Sequence, residues 1–525
     1  MKQLKNIQKV GIALFILGLL FFSAASFFGP FTLEKSKYPE LFTEQEQTNI
    51  GEEVESLLIG KDFNNSISFS NALIDIYEAE NEELKANQEW DKVMWTPASD
   101  VALRVAKECN QSVFIKSPWL VFLLSFGVAI VGALMYILPT VITLGEKGIK
   151  NDKLFQSAAT NRGWLAYVTF AYLVGFYVVL YFYPYLIVNQ IAIVSPLSEM
   201  LSGNPSSQWF LYGFIYCVVM VVMGIKVYIK YRHNAYQIVR TSSVLFFQIA
   251  FAFLIPELLV KFNMPYMDFK NAWPLDYDFF FDWNINNLVN SGNIGIFMLV
   301  WGIALSLIVV PVLVYFYGKR WYCSWVCGCG GLAETLGDPY RHLSDKSTKA
   351  WKIERYLIHG VLVFAVVMTS GALYTYFTGA DQILGLKTYD LQKSYGFLIG
   401  SIFSGVIGTG FYPVMGNRVW CRFGCPLAAY MGIVQRFKSR FRITTNGGQC
   451  ISCGNCSTYC EQGIDVRAYA QKGQNIVRAS CVGCGVCSAV CPRGVLKLEN
   501  GPEKDRIREN PILIGADGVK LDLES

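Results

Sequence analysis

Cys450-Ile451-Ser452-Cys453-Gly454-Asn455-Cys456-Ser457-Thr458-Tyr459-Cys460 and Cys481-Val482-Gly483-Cys484-Gly485-Val486-Cys487-Ser488-Ala489-Val490-Cys491-Pro492 decide how this chain is read. Each run has the spacing Cys-x2-Cys-x2-Cys-x3-Cys. Three thiolates on a tight loop can grip three corners of a [4Fe–4S] cube, while the fourth cysteine of each run reaches the other cube. That rule assigns Cys450, Cys453, Cys456 and Cys491 to one cluster, and Cys481, Cys484, Cys487 and Cys460 to the other. Gly454, Gly483 and Gly485 lie inside the runs, where glycine lets the backbone turn closely and aim N–H groups at sulfur. A pair of zinc knuckles is the competing reading, but zinc sites seldom need such regular triplets with a distal fourth ligand.

This segment resembles the bacterial dicluster ferredoxin module. It departs from that pattern at Glu461, where a proline usually follows the last cysteine of the first run; Pro492 keeps the second.

Working outward, the 525 residues are 53% hydrophobic and only 16% charged, which points to a polytopic membrane protein. Thirteen of the 15 cysteines fall between 323 and 491, grouped as ligands rather than scattered as bridges. Thiolate-bound clusters want a reducing compartment, so this region is expected to face the cytoplasm. Cys109 and Cys217 have no partner in the pattern and read as ordinary free cysteines.

Apolar runs at 10–28, 118–143, 164–188, 208–230, 242–261, 294–318, 356–378 and 395–416 are each long enough to cross a bilayer core of about 30 Å. The first is preceded by Lys2, Lys5 and Lys9 and reads as an uncleaved anchor rather than a signal peptide. Residues 29–117 carry 17 Asp/Glu against eight Lys/Arg and show no nucleophile or metal cluster, as a small acidic extracytoplasmic domain would. Loop 146–162 holds Lys147, Lys150, Lys153 and Arg162, loop 226–241 holds Lys226, Lys230, Arg232 and Arg240, and loop 319–355 holds seven Lys/Arg. The alternate loops are poorer in them, so the positive-inside rule puts both termini and the cysteines in the cytoplasm. The basic stretch Arg436, Lys438, Arg440 and Arg442 follows the last span, as a juxtamembrane segment facing anionic lipid would. The tail after 500 is polar.

A second set of cysteines stands at the ends of spans: Trp321-Tyr322-Cys323-Ser324-Trp325-Val326-Cys327-Gly328-Cys329 and Trp420-Cys421-Arg422-Phe423-Gly424-Cys425-Pro426. Cys-x3-Cys on a helix presents two thiols on one face. The spans between the motifs form a hairpin, which returns the chain to the same side and lets Cys323, Cys327, Cys421 and Cys425 converge. Four thiolates suit zinc or another iron–sulfur cluster, and Cys329 is a further candidate ligand.

Paired Cys-x3-Cys motifs at helix ends, followed by a dicluster ferredoxin, resemble the polyferredoxin membrane proteins of the NapH, NosR and CcoG kind, over roughly residues 290–495. The resemblance implies one-electron transfer near the membrane. Here Gly328 replaces the proline after the first motif, while Pro426 keeps the second. Residues 29–117 are too short for the flavin domain of NosR-like proteins, and Thr369-Ser370-Gly371-Ala372 lies inside a span, where it reads as helix packing.

The three histidines offer no axial pair at membrane depth, so haem is not expected, and with 29–117 too short for the NosR-like flavin domain neither is flavin. His233 and His342 fall in loops; His359 and Glu257 lie in spans and are the candidates for a quinone or proton site. No Walker loop, dinucleotide fingerprint or nucleophile-with-base pattern is present, and nothing points to nucleic acid.

The expected fold is a polytopic α-helical membrane protein of eight spans with a C-terminal cytoplasmic ferredoxin-like α+β dicluster domain. Its segments are an anchor at 1–28, the acidic domain at 29–117, a membrane region at 118–261, a loop and sixth span at 262–318, the Cys-x3-Cys region at 319–430, the ferredoxin at 431–500 and the tail at 501–525. The expected activity is single-electron relay between a quinone pool or cytoplasmic donor and a respiratory or extracytoplasmic redox protein. A ferredoxin, cytochrome or reductase subunit would be the partner. The alternative is a metal-reducing maturation factor, or a redox-regulatory one, for a respiratory enzyme.

Overall fold

A computed structural model describes residues 2–143, 155–380, 382–383, 385–500, 514–515 and 518–519. Lys147, Lys150, Lys153 and most of the polar tail therefore lie outside the described residues. Among the described residues seven helices are long and apolar enough to cross a membrane: Leu4–Phe27, Pro118–Ile142, Trp164–Phe182, Gln208–Tyr231, Ala235–Lys261, Gly292–Tyr317 and Thr348–Thr378. The protein is a multi-pass membrane protein.

The eighth expected span, 395–416, takes a different form. Helical turns run from Thr388 to Gly410, and the chain then turns at Phe411 into the short helix Tyr412–Met415. Its apolar stretch, 396–410, is short because the polar Thr388–Tyr395 precedes it and the turn at Phe411 ends it, so it is not one of the seven; Gly396, Gly400, Gly405 and Gly408 lie within it. The small residues have a packing role: the Tyr277 ring lies against Gly396 and Gly400, and Trp420 lies against Gly408.

The chain divides into two units, 1–145 with 175–218, and 146–174 with 219–525. In the first unit the Leu4–Phe27 span packs on Pro118–Ile142 through glycine. A Cβ on Gly132 would sit 2.4 Å from Phe15 N, and one on Gly18 would sit 2.7 Å from Ser125 O. Small residues at such contacts let backbones approach in a solvent that gives no hydrophobic drive between helices. The acidic segment folds around Glu44–Leu57, Ser66–Ala86 and Ala98–Glu108, whose Ile50, Val54, Leu73, Val101 and Val105 share one core. Thr43 and Glu46 close a capping box at the first of these helices, and Arg104 pairs with Glu46 at 2.9 Å.

The second unit holds every cysteine of both motif sets. Its ferredoxin part is closed by an antiparallel pair, Arg442–Thr445 on Leu496–Glu499, with Arg442 opposite Glu499 and Thr445 opposite Leu496. That register brings the two ends of the cysteine-rich segment together.

Residues 262–281 contain no helix or strand, yet Met267, Ala272, Phe279 and Phe281 are buried. This segment folds back into the helical core. Trp273 N–H donates to Ser306 Oγ at 3.0 Å, its indole N–H donates to Thr369 Oγ1 at 2.9 Å, and Trp301 Nε1 donates to Phe269 O at 2.8 Å. Gly302 makes room for the Phe279 ring. Irregular backbone is tolerated among spans only where protein covers its polar groups, and these bonds supply that cover.

Candidate metal centres

The two ferredoxin runs adopt the same local conformation. Gly454 and Gly485 have φ +79° and +76° and precede the short helices Asn455–Thr458 and Val486–Ala489, which carry Cys456 and Cys487. A Cβ at this left-handed position is disfavoured, which is why glycine starts each turn.

Cys450, Cys453, Cys456 and Cys491 line one pocket, together with Gly454 and Pro492. The first run thus meets the fourth cysteine of the second. Burial pushes the Cys456 thiol up to about 11, with Cys491, Cys453 and Cys450 as its charged neighbours. Cys487 is raised well above its ordinary value, by burial first and then by Cys484, Cys481 and Cys460. The second set therefore gathers in the same crossed fashion, with Cys456 also among the neighbours of Cys487. Backbone N–H groups point at these sulfurs, as that of Ile464 does at Cys460 Sγ, 3.4 Å away.

Cys323, Cys327, Cys421 and Cys425 are all buried and share one core, with Cys329 packed at its edge. They do not lie pairwise on one helix face as expected. Cys323 ends the helix Arg320–Cys323, whereas Cys327 is the N-cap of Gly328–Glu334. Likewise Cys421 sits in the wide turn Trp420–Gly424, and Cys425 caps Pro426–Lys438, its Sγ accepting from Ala428 N at 3.4 Å. Gly328 and Pro426 begin new helices, so each Cys-x3-Cys straddles a break. The same core contains Leu305 and, at its periphery, Ile399, from the middle of the Gly292–Tyr317 and Thr388–Gly410 helical runs. The core that holds the thiols therefore extends into the helical bundle.

A free thiolate is disfavoured there. Burial raises Cys425 well above its ordinary value, with Cys421, Cys327 and Cys323 adding to the shift, and it also raises Cys323 and Cys421. Cys327 is the exception at about 6, because the Cys329 thiol donates to it. A thiol that coordinates a metal is deprotonated outright, and the metal supplies the charge that burial withholds. Among the described residues no three Cys, His, Asp or Glu side chains converge as a lone metal ion requires. Four sulfurs around one zinc would stand only about 3.8 Å apart, whereas the four thiols of the first ferredoxin set ring an open pocket.

The second ferredoxin loop lies against these thiols. Val482 and Cys484 belong to the same core. Ser324 Oγ donates to Val482 O at 2.7 Å, Tyr236 OH to Gly483 O at 2.8 Å, and Gln237 Nε2 to Cys484 O at 2.8 Å. Gln435 Nε2 donates to Cys481 O at 2.8 Å.

Glu461 explains its own departure from the ferredoxin pattern. It is buried and ion-paired to Arg341 at 2.5 Å and to Arg418 at 3.0 Å. Arg418 also binds Glu334 at 2.5 Å, Glu334 pairs with Arg240, and Arg341 binds Asp338 at 2.8 Å, which in turn meets Lys230 at 2.6 Å. Burial alone would raise the Glu461 pKa, but Arg341 and Arg418 hold it at about 2. Lys230, Arg240 and Arg341, counted from sequence as loop charges, are thus committed to internal ion pairs.

Of the remaining candidates, His359 is half-buried, its Nδ1 bonded to Arg355 O at 2.6 Å within its own helix, and Glu257 is half-buried.

Residues 442–492 match the family described as 4Fe-4S dicluster domain, and residues 299–347 and 396–444 match the 4Fe-4S binding domain. The chain is 27% identical over 181 residues to YccM of Escherichia coli (strain K12), a protein named for electron transport, covering 31% of this chain and 47% of that protein. It is 28% identical over 191 residues to the methylamine utilization ferredoxin-type protein MauN of Paracoccus denitrificans, covering 34% of this chain and 62% of MauN. It is 24% identical over 165 residues to the regulatory protein NosR of Stutzerimonas stutzeri, covering 30% of this chain and 21% of NosR. The matched region thus spans less than two thirds of each of these relatives. No solved structure matches. Apolar helices long enough to cross a membrane, one match to a dicluster domain and two matches to a 4Fe-4S binding domain make this chain similar to the membrane iron–sulfur proteins of the polyferredoxin type.

Proposed function

We propose that the protein relays single electrons through three centres. Cys450, Cys453, Cys456 and Cys491 hold an outer [4Fe–4S] cluster, and Cys481, Cys484, Cys487 and Cys460 hold an inner one. Cys323, Cys327, Cys421 and Cys425 hold a third centre among the helices, with Cys329 as a reserve ligand. Iron–sulfur clusters supply one-electron carriers whose potentials follow from net charge, hydrogen bonds to sulfur and solvent exposure.

One observation carries the reading: Val482 and Cys484 of the second ferredoxin loop share a buried core with all four Cys-x3-Cys thiols. The side chains of Ser324, Tyr236, Gln237 and Gln435 hold that loop by its carbonyls and so keep the inner cluster's ligands against the membrane helices. The irregular segment 262–281 reaches the same core through Ala272 and Leu275. The third centre therefore shortens the distance an electron must cover across a bilayer core of about 30 Å.

The loop charges and the thiol chemistry support a bacterial cytoplasmic membrane with the ferredoxin domain and both termini inside. The run Thr388–Gly410 would complete eight crossings. A quinone or a cytoplasmic donor is then the inner partner, and a respiratory or extracytoplasmic redox protein the outer one. His359 and Glu257 stay candidates for a quinone or proton site. Rapid mixing of anaerobically purified protein with reduced quinol, followed at the cluster absorbance, tests the quinone link. Reduction within the mixing time supports it. Oxidation by copper(II) with no quinol response favours the metal-reducing alternative.

A further inference from the structure

Lys319 is 1% exposed, and its backbone is fixed on both sides. Its N–H donates to Gln435 Oε1 at 2.7 Å, and its carbonyl accepts from Cys323 N at 2.9 Å. The same Gln435 donates to Cys481 O, so one side chain ties Lys319 to the inner ferredoxin loop. The ammonium charge bears on Cys323 and Cys421 of the helical centre and on Cys481 of the inner cluster.

Of the other basic groups here, Lys346 bears on Cys460 alone and Arg320 lies over the Tyr236 and Phe441 rings, while the buried arginines are neutralised. Arg240, Arg341, Arg418 and Arg422 each pair with a buried carboxylate. Lys319 has no carboxylate at ion-pair distance among the described residues; the anions near it are thiolates. A buried charge is costly unless an opposite charge compensates it. The outer pocket differs: Cys453, Arg467 and Arg493 are exposed, and water screens the charges there.

We infer that Lys319 is the shared counter-cation of the two inner centres and holds both at higher potential than the outer cluster, so that electrons entering at the Cys450 set run inward. Reduction adds a negative charge to a cluster, and a fixed cation in a low-dielectric surround favours it more than a screened one does. The inference rests on the three-centre reading above and adds a direction to it.

The test is an EPR-monitored redox titration of the full-length, anaerobically purified protein, the outer signal being the one lost in Cys453→Ser. In the wild type the two inner signals titrate at higher potential than the outer one; the reverse order overturns the inference without any variant. Lys319→Met shifts both inner potentials downward and leaves the outer one in place, at unchanged iron and sulfide content, and Lys319→Arg stays near wild type. Inner potentials unmoved in Lys319→Met, or all three shifted alike, overturn it as well. A wild-type preparation without iron–sulfur signals defeats the three-centre reading itself, a distinct result.

Discussion

Glu461, the residue after the last cysteine of the first ferredoxin run, places a carboxylate oxygen 3.0 Å from Arg418, which stands three residues before Cys421. An ion pair thus joins the ferredoxin part to the helical part beside a ligand of each. Asn417 Nδ2 adds a bond to the same carboxylate at 3.1 Å, and Arg418 Nη1 reaches Cys421 Sγ at 3.8 Å.

Removing one partner of such a pair leaves the other charge buried. Glu461→Ala is expected to destabilise the docked ferredoxin part by ~3–5 kcal/mol. Limited proteolysis around residues 439–446 measures this, with faster release of the C-terminal fragment than in the wild type.

The pH dependence follows from the sign of the shift. Glu461 is depressed to about 2 in the fold, against about 4.3 in an unfolded chain. Its contribution is fully present above the unfolded value and is lost as pH falls through the folded one. The stability difference between wild type and Glu461→Gln should be flat from pH 5 to 8 and shrink only below about 4.3. Thermal unfolding in detergent across that range checks it.

Gly483 has φ +61°, and a Cβ there would lie 2.5 Å from Arg320 Cβ. Gly483→Ala is strained on both counts, by about 1–2 kcal/mol for the backbone alone. The inner cluster's EPR signal should weaken or broaden while the outer signal persists.

Trp273 connects the irregular segment to Ser306 and Thr369. Trp273→Phe loses the indole bond, at a cost of ~0.5–1.5 kcal/mol, and Trp273→Ala opens a cavity costing ~3–5 kcal/mol. Ala272 and Leu275 then loosen over the thiols, and faster maleimide labelling of the Cys323 and Cys421 sets in metal-depleted membranes reports it.

The ferredoxin cysteines were legible because their spacing is itself the chemistry, and the spans because apolar length is what a bilayer demands. The Cys-x3-Cys sets were legible as a group but not in shape. The helix breaks at Gly328 and Pro426 turn an expected shared face into paired N-caps. The segment 262–281 was hidden, since 12 of its 20 residues are hydrophobic but Pro265, Pro274 and four charges interrupt them, and such a stretch reads as a loop whether it lies outside or folds inward. The ion-pair network was hidden too. Lys230, Arg240 and Arg341 look like ordinary loop charges until the fold brings Asp338, Glu334 and Glu461 to them. Glu461 in place of proline was the one visible trace.

The account's central claim is that thiols of three sets hold iron–sulfur centres in series. Iron and labile sulfide counted on anaerobically purified protein, with EPR after dithionite, test it most directly. The wild type should show ferredoxin signals plus a further centre. Cys323→Ser with Cys421→Ser should lose that centre and keep the ferredoxin pair. A colourless, EPR-silent preparation, or iron content unchanged by the two serines, would contradict it.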